Sequence, residues 1–189
     1  PHTPAAMRGI LTAALDRVAS DADATQLLVL TPDTETAVAL AEVARTISDQ
    51  SAAPLVAITS APRGSRILTS RTVTAIAATP SAVVALMRAS AVKLDGLRTV
   101  VLAWADEMVE ARENEALEVV LAEIPKEASR VVVADRVTSE IEALVERHLR
   151  RATRQISADS DAEPAALAIR YVTTTPLARP AAFRRLLDD

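Results

Sequence analysis

At 189 residues the chain has the length of one domain of ordinary size with an appendage. Half of it is apolar, yet only Trp104, Tyr171 and Phe183 are aromatic, so a core must be built from Ala, Val, Leu and Ile. The net charge of −4 argues against a general nucleic-acid binder, and the lack of cysteine excludes disulfides and thiolate metal sites.

Nineteen Arg stand against two Lys, Lys93 and Lys126, and Ala is abundant, the bias of a GC-rich bacterial genome. Charge is unevenly placed. Asp106 to Glu127 carries eight acids and two bases, and Arg63 to Arg71 carries three Arg and no acid. Arg147, Arg150, Arg151 and Arg154 form a second basic cluster. Pro1–Arg17 lacks the signal-peptide order of charge, apolar run and small-residue site. No apolar run reaches the roughly 18 residues of a membrane span. A cytoplasmic location is expected.

In chain order, Gln26–Leu30 reads as the first strand and Asp33–Ser48 as an amphipathic helix with Ala37, Val38, Ala41, Ala44 and Ile47 on one side. Pro54–Thr59 and Val73–Ala78 are strands, and Ser81–Ala89 a helix. Thr99–Trp104 is a buried strand running into a short acidic helix that begins near Asp106. Glu113–Ile124 is helical, Arg130–Ala134 is a strand, and Ser139–Arg151 is the last helix, started by an S-x-x-E capping box of Ser139 and Glu142. Continuously apolar strands are those buried on both faces. A β-α series of this kind implies a parallel sheet with helices on both sides.

Two junctions share one construction: Leu30-Thr31-Pro32 and Ala78-Thr79-Pro80 each end a strand and start a helix. Thr can cap a helix and Pro suits its first turn, where no N–H is needed. Both lie at carboxyl ends of strands, the edge where open α/β sheets bind ligands. From Ser157 to Pro164 the composition turns polar and acidic, as in a linker. Residues 1–156 are therefore expected to form the main domain, 157–166 a linker, and 167–189 an appendage or the start of a second domain. In that last part Leu167–Val172 is strand-like and Ala181–Leu187 helical.

The stretch Val100-Val101-Leu102-Ala103-Trp104-Ala105-Asp106-Glu107 resembles the strand and D-E-A-D box of the DEAD-box RNA helicases. Ala103 and Trp104 stand where that family has its first Asp and its Glu, and Ala105 and Asp106 match. Four further segments are similar to that family's motifs, in order. Pro32-Asp33-Thr34-Glu35-Thr36-Ala37 resembles P-T-R-E-L-A, with Thr34 for the Arg. Thr79-Pro80-Ser81-Ala82 resembles T-P-G-R, Ala134-Asp135-Arg136 stands in the place of S-A-T, and the following helix resembles the one after S-A-T. The resemblance runs from about Leu11 to Arg154 and implies a RecA-like, three-layer α/β fold with a parallel sheet.

The chemistry implied by the resemblance is absent from these residues. In the family, the two carboxylates replaced by Ala103 and Trp104 hold the magnesium shell and position the attacking water. A P-loop needs Gly-x-x-x-x-Gly-Lys-Ser/Thr. The three glycines, Gly9, Gly64 and Gly96, precede no such Lys, and Ala6–Thr12 has neither the cation nor the hydroxyl beside its Gly. A loop upstream of Pro1 would leave the losses at Ala103 and Trp104 standing. Asp106 and Glu107 read as acids complementing a helix N-terminus, with a remnant magnesium site as the alternative. His2 and His148 have no metal-binding spacing.

The expectation is a degenerate helicase module without ATP, magnesium or catalytic residues. It would act as a platform for a protein partner or a second helicase domain, or bind RNA weakly through Thr31, Thr34, Arg63, Gly64, Thr79 and Ser81. Arg63 and Gly64 fall near the family's glycine-pair loop. The alternatives are a truncated part of an active ATP-dependent RNA helicase and an unrelated α/β binding module.

Overall fold

The computed structural model describes residues 3–19, 23–47 and 54–149. Contacts divide the chain between Thr153 and Arg154. The expected linker, Leu167–Val172 and Ala181–Leu187 lie outside the described residues, as do Arg150, Arg151 and Arg154.

Five strands, β1 (Leu27–Leu30), β2 (Leu55–Ala57), β3 (Ala75–Ala78), β4 (Thr99–Leu102) and β5 (Ser129–Val132), form one sheet in the order β2-β3-β1-β4-β5. Every pairing is parallel. A 3-10 turn, Pro4–Met7, opens the described chain and runs into α1 (Arg8–Leu15). The other helices are α2 (Thr34–Ile47), α3 (Ala61–Ser70), α4 (Pro80–Arg88), α5 (Ala105–Glu110), α6 (Asn114–Glu123) and α7 (Ser139–His148).

Alternation along each strand sorts the core into two layers. Leu27 and Val29, Ala75 and Ala77, and Val101 and Ala103 face α1 and α2. Leu28 and Leu30, Ile76 and Ala78, and Val100 and Leu102 face the layer of α3 to α7. Each fully buried Val, Leu or Ile stabilises the fold by about 1.5–3 kcal/mol. Small residues at Ala75 and Ala77 let α2 lie close over β2 and β3. Its inward stripe is Ala37, Leu40 and Ala44, whereas Val38 is exposed. Steps of three and four residues keep that stripe on one side, and Val38 is one helical step away from it.

Strands β2, β4 and β5 end two residues earlier than the apolar runs that mark them, whereas β1 and β3 end where expected and begin one and two residues later. Ala103 and Trp104 fall in a turn beyond β4 rather than in the strand. Helix α3, in the segment between Pro54–Thr59 and Val73–Ala78, carries no acid and only a sparse apolar face, Ile67 and Leu68. Gly64 is buried inside it, and a Cβ there would stand 2.7 Å from Ile58 Cγ2 and 3.1 Å from Leu86 Cδ2. This glycine permits close packing of α3 and is not part of a loop. The helix cap expected at Ser139 is displaced by one residue. Thr138 is the cap, its hydroxyl accepting from the Ile141 N–H at 3.4 Å, and Ser139 is the first helical residue.

Candidate functional site at the carboxyl edge of the sheet

Register gathers the motif residues along one edge. Leu30 aligns with both Ala78 and Leu102, and Leu102 aligns with Val132. The residues that follow, Thr31, Thr79, Ala103-Trp104 and Ala134-Asp135-Arg136, are therefore neighbours along the carboxyl end of the sheet.

The two Thr-Pro junctions are not built alike. Thr79 caps α4, its hydroxyl accepting from the Ala82 N–H at 3.3 Å, with Pro80 in the first turn. At the other junction Asp33 does the capping, its carboxylate accepting from the Thr36 N–H at 2.7 Å. Thr31 is fully buried. Its N–H donates to the Ala78 carbonyl at 3.0 Å and its hydroxyl to the Asp33 carbonyl at 2.9 Å. Two residues, Pro32 and Asp33, stand between Thr31 and α2 and none between Thr79 and α4, which explains the difference, because a cap must stand immediately before the helix.

Of the six residues expected to meet nucleic acid, Thr79 and Ser81 come together, their hydroxyls 3.2 Å apart. Ser81 is engaged further: its N–H and hydroxyl donate to the carboxylate of Glu113 at 2.8 and 2.9 Å. Glu113, which precedes α6, thus places an internal anion on the N-terminus of α4, where the dipole favours negative charge. Thr34 opens α2 half-exposed, its hydroxyl donating to the Glu35 carboxylate at 3.2 Å. Arg63 lies exposed on α3 with Gly64 buried beside it. No sequence pattern links Ser81 to Glu113, since they are 32 positions apart.

At the D-E-A-D position Ala103 is buried and its N–H extends the ladder to the Leu30 carbonyl at 2.9 Å. Trp104 adopts a left-handed backbone, φ 56° and ψ 62°, and is 3% exposed. That conformation costs a non-glycine residue about 1 kcal/mol or more. Its side chain joins the apolar layer of Met7, Leu11, Ala37 and Leu40, so burial of a large indole offsets the strain.

Asp106 is buried in the first turn of α5, and more than the helix dipole holds its charge there. Its carboxylate accepts from the backbone N–H of Asp135 at 3.3 Å and of Arg136 at 3.2 Å. The Arg136 guanidinium approaches it at 3.7 Å and also pairs with Glu110. The hydrogen bond and charge of Glu110, then the charges of Asp106 and Asp135, push the Arg136 pKa above its ordinary value. Asp106 therefore ties the start of α5 to the loop that stands in the place of S-A-T, using backbone amides where neither hydroxyl residue is present. Among the described residues no group of three or more His, Asp or Glu side chains is arranged to hold a metal ion.

Of the second basic cluster, Arg147 lies within the described residues. It pairs with Glu118 of α6, whose other carboxylate oxygen lies 2.8 Å from His148 Nε2. No helix among the described residues is long and apolar enough to cross a membrane.

No family model matches the sequence, and no curated protein matches it. Solved structures do. A DEAD box protein from the hyperthermophile Methanococcus jannaschii superposes with a TM-score of 0.73 at 18% identity, over 98% of this chain and 49% of that one. A variant of Dbp5 from S. cerevisiae, bound to a Gle1 variant and IP6, gives 0.65 at 18% identity, over 79% of this chain and 38% of that one. The same yeast protein with Nup159, Gle1, IP6 and ADP gives 0.63 at 19% identity, over 79% and 39%. This chain spans about half or less of the length of each of these proteins. The five-stranded parallel sheet with helices on both faces is the RecA-like α/β fold of DEAD-box helicase domains.

Proposed function

We propose that this chain is a helicase-like domain that does not hydrolyse ATP and serves as a docking platform, first for a protein partner or a second domain of its kind, and weakly for RNA. The observation that carries this reading is the use of the D-E-A-D position as structure. Ala103 and Trp104 are core residues, and the Asp106 carboxylate accepts from two backbone amides.

ATP with magnesium, which the resemblance implies, does not fit the residues present. Magnesium is held by oxygens, and a methyl and an indole offer none. A phosphate cradle needs a curled backbone and a cation. Here the chain passes from the Pro4–Met7 turn directly into α1, with Gly9 inside the helix and open space around it. Restoring Ala103→Asp with Trp104→Glu is expected to give no ATP turnover, since it supplies carboxylates but no cradle. Phosphate release by wild type or by this double variant, above that of a buffer blank, would contradict the proposal.

A protein partner fits an edge already filled by its own side chains. Dbp5 in the neighbouring structures is bound to Gle1 and Nup159, which supports a docking role for this fold. RNA is the weaker ligand on the same reasoning: Thr31 is buried, Ser81 is held by Glu113, and Arg63 is the exposed cation that remains. Binding would be backbone-directed and salt-dependent. Titration of labelled single-stranded RNA at low salt tests this. Loss in Arg63→Glu assigns the contact to α3, and loss in Arg150→Glu with Arg151→Glu moves it to the Arg cluster.

A further inference from the structure

From Pro54 to Lys93 the chain carries five cations, Arg63, Arg66, Arg71, Arg88 and Lys93, and no acid, in a protein of net charge −4. Helices α3 and α4 of this stretch pack on one another. Among the described residues none of the five cations is paired, whereas Arg45, Arg136 and Arg147 each hold a carboxylate. The positive surface is therefore free for a partner.

It opens on a cleft of about 450 Å³ at the amino ends of the strands, opposite the edge described above. Thr25 and Val73, just before β1 and β3, line it, as do Arg71 and Lys93 beyond the ends of α3 and α4. Helical spacing sets Arg66 on the same stripe as Thr69 and Ser70, which also line the cleft. Leu68 and Ala91, both half-exposed, supply apolar surface over the buried Val73 and Val92, and Asp23 is the one acid in the lining.

We propose that this cleft docks a segment of a partner protein in which carboxylates alternate with aliphatic side chains. Arg71 and Lys93 pair with the carboxylates, and Leu68 and Ala91 receive the apolar side chains. A nucleic acid fits less well. No aromatic side chain lines the cleft, so bases have nothing to stack on. Helix α3 ends here, and a helix's last carbonyls accept from the N–H groups of a peptide backbone, which a phosphodiester lacks. This deepens the docking-platform reading by naming the chemistry of the partner, and it rests on that reading.

The test is a polarisation titration of the whole chain with a labelled peptide of alternating Glu and Leu, without nucleotide. The expected result is saturable binding at low salt, weakened about tenfold or more by Arg71→Glu with Lys93→Glu. The same charge change on the other layer, Arg8→Glu with Arg45→Glu, leaves it unchanged. Both pairs are exposed, and far-UV circular dichroism checks that each variant is folded. Equal weakening by the control pair would overturn the proposal, as would equal affinity for a Gln–Leu peptide or absence of binding. Preferential binding of labelled oligouridylate, lost in the Arg71/Lys93 variant, would assign the cleft to nucleic acid instead. ATP turnover would overturn the reading of the carboxyl edge and leave the peptide result standing.

Discussion

At Trp104 the backbone and the side chain make opposite demands. The left-handed φ favours glycine, while the buried indole fills the layer beneath α1 and α2. Substitution separates the two. Trp104→Ala loses the indole and keeps the strain, whereas Trp104→Gly loses the indole and relieves it. Both should cost about 3–5 kcal/mol in urea denaturation. The glycine variant should be the more stable by about 1 kcal/mol, reversing the usual order of Gly and Ala. A glycine variant less stable than the alanine one would show that the backbone is not held where described. Asp106 gives a second test, because its carboxylate is buried against amides while Arg136 is 64% exposed. Asp106→Ala should cost about 1–3 kcal/mol by removing the acceptor of two partly buried backbone donors, and Arg136→Ala much less. Equal losses would place the stabilisation in the ion pair. That Ala103 and Trp104 cannot hold magnesium was legible from their side chains alone. That Asp106 spans to the amides of Asp135 and Arg136 was not, since backbone donors leave no trace in a sequence.

Among the elements, α3 and α7 are where local rules and tertiary packing part. Gly64 weakens a helix intrinsically, yet it lets α3 approach Ile58 and Leu86. Gly64→Ala gains about 1 kcal/mol of helix propensity and loses about 1–3 by overpacking, so a net destabilisation is expected on thermal denaturation. A stabilised variant would mean that α3 packs loosely. For α7, Thr138→Ala should cost about 1 kcal/mol and Ser139→Ala much less, the reverse of a cap at Ser139. The backbone N–H of Glu140, then the hydroxyls of Thr138 and Ser139, hold the Glu140 carboxyl below its ordinary pKa. A depressed carboxylate stabilises above its unfolded pKa, and this is lost as pH falls through the folded value. Glu140→Gln should therefore lower the melting temperature near neutral pH and lose its effect below the carboxylate range. The strands were legible because buried parallel strands are continuously apolar, and the start of α4 because Pro80 marks a first turn; Pro32 misleads because it lies two residues before α2. Helix α3 was hidden because its face toward the core holds a glycine and only two large apolar residues, Ile67 and Leu68, so that its period is carried by the exposed Arg63 and Arg66 rather than by apolar residues.

For the whole molecule, the parallel sheet sets one edge where ligands of such folds bind, and this chain fills that edge from within. Trp104 is packed into the core, Asp106 ties α5 to the facing loop, and Glu113 lies on the N-terminus of α4. Similarity to DEAD-box structures fixes the architecture at 18–19% identity, and these side chains decide what the architecture does here. The scaffold was legible in the order of the motifs. The filling of the edge by Glu113 was not, because it depends on where α6 begins in space. The central claim is that this edge takes no nucleotide. Calorimetric titration of the whole chain with ATP and magnesium tests it most directly: no saturable heat is expected, and magnesium-dependent binding in the micromolar range would contradict the account.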